Sequence, residues 1–357
     1  MTCRLDQLAQ IAYRPQSPRT YSPNIGMIGC GGISHHHLRA YAAAGFNVTA
    51  LADLDKSRAV ARRNDFYPEA VATENFQDIL RDETIEVVDI TTHPAERPAL
   101  ISAALQAGKH VLSQKPFVLD LDIGLELVEL AAKCNRYLVV NQNGRWAPHF
   151  SYARLTAESG IIGNVFGAHM SCHWDHRWVR GTPFEEVRHL VLYDYAIHWF
   201  DMLRCFLPKS TALRVFASTA RAPGQDLKPN LLAQAVVEFD NGQATLAFDA
   251  CVPAGSQERT YLSGTLGSLT SSGSGNQDQK LTVNLSEGQW TPALQGKWFP
   301  DGFHGTMGEL LCAIEDKRPS TIDASDNLES LALCFAAVAS ADSGLPIRPG
   351  QVRKLPT

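Results

Sequence analysis

The segment from Ile25 to Asp53 constrains the fold more than any other part of this 357-residue chain. A short apolar run, Ile25-Gly26-Met27-Ile28, turns through Gly29-Cys30-Gly31-Gly32-Ile33-Ser34 into a helical stretch, and a second apolar run, Asn47-Val48-Thr49-Ala50-Leu51-Ala52, ends on Asp53. This reads as strand, glycine loop, helix and strand. In a dinucleotide site Gly29 permits the tight turn, Gly31 lets the backbone approach a pyrophosphate, and a small residue at the third position lets helix and strand pack closely. Ser34 stands at that third position instead of glycine. The N–H groups of Gly32, Ile33 and Ser34, at the positive end of the helix dipole, are offered to the phosphates. Asp53, 22 residues after Gly31, can accept hydrogen bonds from a ribose and repels a 2′-phosphate, which favours NAD over NADP. Lys56 and Arg58 follow closely and weaken that preference. Glycines also mark ordinary turns, so the reading rests on the flanking strand, the helix and the correctly spaced acid together.

The totals narrow the class. A chain of this length suits two domains of ordinary size, and a hydrophobic fraction of 45% can fill their cores. With 19% charged residues and a formal net charge of −5 there is no basic field to draw in nucleic acid. The eight cysteines are scattered without a CxxC pair, which suits reduced thiols and a cytoplasmic location. No run approaches membrane-spanning length, and residues 1–24 read as an extension lying on the surface.

Strand and helix signals alternate from Ile25 to Arg145. Helices are expected over Lys56–Asn64, Asn75–Leu80, Ala95–Ala107 and from a cap at Asp120 through Cys134, with strands over Glu86–Thr92, Lys109–Ser113 and Tyr137–Val140. That pattern predicts an α/β Rossmann domain over 25–145, a doubly wound parallel sheet whose ligand crevice lies at the carboxyl ends of the strands. Asp53, Thr92, Lys115 and Asn143 fall at such ends. Over 146–357 the signal changes to α+β. A helix is expected over Pro148–Ser159, a strand over Val165–Trp174 and an amphipathic helix over Tyr193–Phe206. A strand-rich stretch follows from Arg214 to Leu285, with a hairpin turn at Asp240-Asn241-Gly242-Gln243. Ser271–Gly275 reads as a flexible loop, and helices near Thr306–Glu315 and Ser325–Ser343 close the domain. The result is an open, mainly antiparallel sheet whose uncovered face predicts pairing into a homodimer or homotetramer.

Two groups of residues carry chemistry. Lys115 follows a strand directly and is held by Pro116; a lysine at the crevice end of a parallel strand is either a solvated surface group or the partner of a ligand oxygen. Asp194 and His198 stand four apart, on one face of a helix. Histidine titrates near neutrality and can take a hydroxyl proton, though a core histidine paired with Asp194 or Asp201 fits the same spacing. No third ligand accompanies the pair, so no metal is expected. His35-His36-His37 point about 100° apart and cannot converge on one ion. The run His173-Trp174-Asp175-His176-Arg177-Trp178 offers Trp174, His176 and Trp178 to a polyhydroxylated substrate, indole faces on C–H patches and polar tips on hydroxyls. A packing loop is its alternative.

These motifs together resemble the glucose-fructose oxidoreductase, inositol dehydrogenase and rhizopine-catabolism (Gfo/Idh/MocA) family. The resemblance rests on the glycine loop, Ala50-Leu51-Ala52-Asp53, Ala107-Gly108-Lys109-His110-Val111-Leu112-Ser113-Gln114-Lys115-Pro116 and Asp194-x-x-x-His198. It implies catalytic roles for Lys115, Asp194 and His198, NAD contacts from Thr92, Lys115 and Asn143, and substrate contacts from Arg145, Asp194 and His198. It also implies oxidation of a small sugar or polyol, an aldose to its lactone, with a pentose such as D-apiose as one choice. Relatives that sense ligands without turnover, or that cleave glycosides with bound NAD, supply the alternatives. The sequence departs from the family pattern at Gln114, usually glutamate; at Ala196, usually glycine; at Arg188-His189-Leu190, usually glycine-rich; and at Arg97, where a histidine is common.

Overall fold

The computed structural model describes residues 4–274 and 278–355. The chain divides into two compact units. One is built from Arg14–Trp146 with Phe299–Leu328, the other from Met1–Tyr13, Ala147–Trp298 and Glu329–Thr357.

The first unit is a six-stranded, wholly parallel sheet. Its strands are β1 (Asn24–Ile28), β2 (Asn47–Ala52), β3 (Val71–Thr73), β4 (Ile85–Ile90), β5 (His110–Ser113) and β6 (Leu138–Val140), in the order β3-β2-β1-β4-β5-β6. The order reverses between β1 and β4, and at such a switch point the loops leaving the two strands open a crevice. The glycine loop leaves β1 and Thr92 follows β4. Sequence dictates the helix boundaries locally. Asp55, Asn75 and Asp120 cap their helices by accepting the N–H of Ser57, Gln77 and Asp122, and Gly45 ends the glycine-loop helix α2 (Ser34–Ala44) in a left-handed conformation at φ 75°.

One element falls elsewhere than expected. The helix read near Thr306–Glu315 as closing the second domain lies within a helical stretch, Trp298–Asp316, that is kinked at Phe299 (φ −103°, ψ 116°), and from Phe299 onward it belongs to the parallel-sheet unit. Phe303, Met307, Leu310 and Leu311 are fully buried in one cluster with Tyr41, Phe46 and Leu51. Each such side chain contributes roughly 1.5–3 kcal/mol by leaving water, which is what holds the returning helix there.

The second unit is an eight-stranded sheet in which only β7 (Val165–His173) and β10 (Gly242–Asp249) run parallel. The remaining strands are β8 (Ala212–Ala220), β9 (Leu232–Phe239), β11 (Gln257–Gly264), β12 (Gly267–Gly273), β13 (Gln279–Leu285) and β14 (Gly288–Trp290). The expected hairpin at Asp240-Asn241 joins β9 to β10, pairing Phe239 with Gly242. Ser271, Ser272 and Gly273, expected in a loop, complete β12 against β13; Gly275 lies outside the described residues. The sheet's inner face carries Met170, Cys172, Val237, Leu246, Phe248 and Leu262, all buried. Residues 4–13, expected on the surface, are packed in part: Leu8 is buried, and its carbonyl accepts the Tyr152 hydroxyl at 2.7 Å. Among the described residues no helix is long and apolar enough to cross a membrane.

Candidate active site

The glycine loop has the stereochemistry of a phosphate cradle. Gly29 sits at φ 97°, and a Cβ there would lie 3.0 Å from Thr92 Cγ2 and 3.1 Å from the Thr91 carbonyl carbon. At Gly31 and Gly32, by contrast, a Cβ would meet no protein atom within 4 Å. Packing therefore does not demand glycine at those two places, whereas a pyrophosphate lying on the backbone would. Asp53 accepts the Cys30 N–H at 2.7 Å and the Asp55 N–H at 2.9 Å, one on each carboxylate oxygen, which anchors the carboxylate and leaves lone pairs for a ribose. Ser34 is buried and donates to the Gly31 carbonyl at 2.7 Å. Arg62 bonds both Ser34 Oγ and the Gly31 carbonyl at 3.1 Å, bracing the loop. A cavity of about 380 Å³ lies here, lined by Cys30, Gly31, Gly32, Arg58, Ala61 and Arg62. Burial pushes the Cys30 thiol up to about 12, so it stays protonated.

The neighbouring strand ends are tied together by Arg97. Its guanidinium donates to the carbonyls of Thr92 at 2.7 and 2.8 Å, of Gln114 at 2.6 Å and of Pro116. Thr92 Oγ1 is buried and finds no hydrogen-bond partner among the described residues, which fits a group that a cofactor would satisfy. Lys115 is partly buried, and Asn143 is buried in a 3₁₀ turn, Asn143–Trp146. Arg145, expected to contact substrate, donates instead to the Thr321 carbonyl and to Asp326 at 2.7 Å. These contacts hold the loop at Thr321 and the start of the last helix in place.

In the second unit the expected helix from Tyr193 is two pieces. Val191–Tyr195 is a single π-type turn, in which Ala196 N–H reaches the Val191 carbonyl at 2.8 Å, and α8 (Ile197–Phe206) follows. Asp194 stands in the wide turn and His198 in the first turn of α8. Such wide turns occur frequently at functional sites. His198 is buried, with Trp298 edge-on at 5.4 Å. Trp174, Tyr195 and Trp199 form a stack, with centroids at 3.8 and 4.7 Å. Trp174 and Trp178 donate their indole N–H to Nδ1 of buried His176 at 2.9 and 3.2 Å, so that nitrogen carries no proton. Trp178 itself is exposed. Arg188 and His189 both turn to Asp342, at 2.5 and 3.0 Å, and line a polar cavity of about 550 Å³. Among the described residues no three histidine, cysteine or carboxylate groups gather as a metal site.

Residues 23–142 match the oxidoreductase family with the NAD-binding Rossmann fold, and residues 150–270 match the GFO/IDH/MocA C-terminal domain. The chain belongs to the Gfo/Idh/MocA family. It is therefore an NAD-dependent oxidoreductase acting on CH–OH groups. A D-apiose dehydrogenase of Paraburkholderia graminis is 27% identical over 89% of this chain and 87% of its own. An inositol 2-dehydrogenase of Agrobacterium fabrum is 28% identical over 51% of this chain and 54% of its own. Among solved structures, an oxidoreductase from Agrobacterium radiobacter in complex with NAD+, L-tartaric acid and magnesium shares the fold. Its TM-score is 0.82 at 21% identity, covering 92% of this chain and 99% of that one.

Within this Gfo/Idh/MocA chain several residues beside the motifs escaped sequence reasoning. Tyr195 and Trp199 were read only as parts of an amphipathic helix, and Trp298 carried no pattern at all. Arg97 was noted only as a departure, yet it joins the Thr92 loop to the Gln114-Lys115-Pro116 segment. A basic residue at the start of a helix, followed at once by Pro98, gives no hint that it faces inward.

Proposed function

We propose that this chain oxidises one hydroxyl of a small sugar or polyol, an aldose to its lactone, with a pentose such as D-apiose the first candidate. The observation that carries this reading is the placement of His198: a buried imidazole in the turn after Asp194, against buried Trp298 and Trp199, with half-buried Trp174 and exposed Trp178 farther along the same aromatic cluster. Aromatic faces suit the C–H patches of a sugar and polar tips suit its hydroxyls. The likeness to the D-apiose dehydrogenase supports the choice of sugar.

Bound NAD supplies the acceptor for the hydride leaving the carbinol carbon. His198 takes a substrate hydroxyl proton as the carbon is oxidised and Asp194 accepts from a further substrate hydroxyl, while Lys115 donates a hydrogen bond to a ligand oxygen and steadies negative charge there. Trp178, exposed and anchored through His176, offers a further stacking face. The test is a panel of aldoses, D-apiose included, and inositols incubated with NAD. An aldopentose is expected to give NADH and aldonolactone in equal amounts. Tight NAD binding with no NADH from any member would replace this reading with a sensing role, and glycoside hydrolysis without net NADH with a redox-assisted glycosidase.

The outer face of the second sheet supports self-association. Phe216, Val236, Thr245, His169 and Tyr261 are successive partners in one row across five strands, and Phe216, Val236, Tyr261 and nearby Phe166 are exposed. Exposed apolar side chains at both ends of such a row, with Thr245 and His169 hydrogen-bonded to each other between them, are most simply covered by a second copy of the sheet. Phe216→Glu with Tyr261→Lys is expected to convert the assembly to monomer in sedimentation velocity with the fold retained. A wild-type chain that sediments as monomer at micromolar concentration would remove the proposal.

A further inference from the structure

His37, the last residue of the triple-histidine run, is fully buried in the parallel-sheet unit. Its Nδ1 lies 2.8 Å from Asp89 Oδ2, which also takes the Tyr41 hydroxyl at 2.7 Å. A carboxylate only accepts, so Nδ1 carries the proton. Burial beside Asp89 pushes the Tyr41 hydroxyl far up, which keeps it a donor. In the neutral ring Nε2 is then an acceptor, and two carboxamides meet it: Gln114 Nε2 at 3.0 Å and Asn141 Nδ2 at 3.1 Å. With its N–H turned to the imidazole, Gln114 must present Oε1 the other way. That oxygen accepts Asn141 Nδ2 at 3.2 Å and the backbone N–H of Lys115 at 2.7 Å.

The two carboxamide N–H groups share the single lone pair of Nε2, and only the Nδ1–H tautomer offers that lone pair to them while its own N–H faces Asp89. We propose that His37 is a positioning residue: as the Nδ1–H tautomer it orients the Gln114 carboxamide, and Gln114 in turn pins the Lys115 backbone. Arg97 holds the same segment from its carbonyl side, through the Gln114 and Pro116 oxygens. Lys115 is therefore gripped by its N–H and by both neighbouring carbonyls, and the direction in which its side chain leaves the backbone is set. The other tautomer would put an N–H against two amide donors; turning Gln114 over to relieve this would set its NH₂ against the Lys115 N–H. Gln114, which departs from the family's usual glutamate, is thus matched to a neutral imidazole.

The inference rests on the reading of Lys115 as a catalytic residue, and the experiment separates the two. In the wild-type protein bound to NAD, ¹⁵N-histidine NMR is expected to show His37 as the neutral Nδ1–H form near pH 7. An Nε2–H or doubly protonated ring overturns the proposal without any variant. His37→Phe and Gln114→Met are each expected to lower kcat about ten- to a hundredfold, as misplacement of a catalytic group does, with Kd for NAD unchanged. The double variant is expected to be no slower than the slower single one, because both act through one hydrogen bond. Multiplying losses would overturn the proposal. Lys115→Met retaining full turnover would instead remove the role of Lys115 and leave the His37 tautomer result standing.

Discussion

Replacing His198 by alanine is expected to lower kcat about a thousandfold while the Kd for NAD stays within twofold of wild type. A positioned proton acceptor contributes about 10²–10⁴ in rate, and a thousandfold corresponds to about 4 kcal/mol of barrier. The imidazole lies in the second unit, while the glycine loop and Asp53 belong to the parallel-sheet unit, so cofactor affinity has no reason to follow. Loss of the edge-on contact with Trp298 costs roughly 0.5–1.5 kcal/mol, too little to unfold a domain of this size. A melting curve therefore separates lost chemistry from lost structure. His198→Asn, which keeps polarity but cannot take the proton, should be nearly as slow as His198→Ala. Turnover within tenfold of wild type in both variants would remove the imidazole from the proton-accepting role and return it to the alternative of a core histidine.

The strand, glycine loop and helix at Ile25–Ala44 were legible because each leaves a local mark: an apolar run, a residue at positive φ, a helix with a glycine stop at Gly45. The caps at Asp120 and the turn at Asp240-Asn241 were legible for the same reason. What escaped depended on partners far along the chain. Successive helical side chains diverge at His35-His36-His37, but nothing in the sequence joins His37 to its partner Asp89, which stands 52 residues away, since no spacing rule links them. Arg145 carried the mark of a basic residue after a strand, yet its partners Thr321 and Asp326 come back 176 and 181 residues later. The π-type turn at Val191–Tyr195 was invisible because periodicity cannot distinguish a bond to the fourth residue from one to the fifth. Val71–Thr73 is too short a strand to show alternation.

Gly31→Val is expected to raise the Kd for NAD at least a hundredfold, a loss of about 2.7 kcal/mol, with the melting temperature unchanged. A Cβ at position 31 would meet nothing within 4 Å beyond its chain neighbours, and substitutions in such open space usually shift stability by less than about 0.5 kcal/mol. Gly29 gives the contrast. There φ is 97° and a Cβ would press on Thr92 and on the Thr91 carbonyl carbon, so Gly29→Val should lower the melting temperature as well as affinity. Gly26 gives a third case, since its Cβ would lie 2.4 Å from Ile79 Cγ2 and should cost stability by overpacking. On this reading three glycines within six positions answer to three different agents: a bound dinucleotide at Gly31, a turn at Gly29 and a neighbouring side chain at Gly26. Isothermal titration with NAD beside thermal melts distinguishes them. A Gly31→Val protein that binds NAD as the wild type does would mean that the open space beside the loop is not where the pyrophosphate lies.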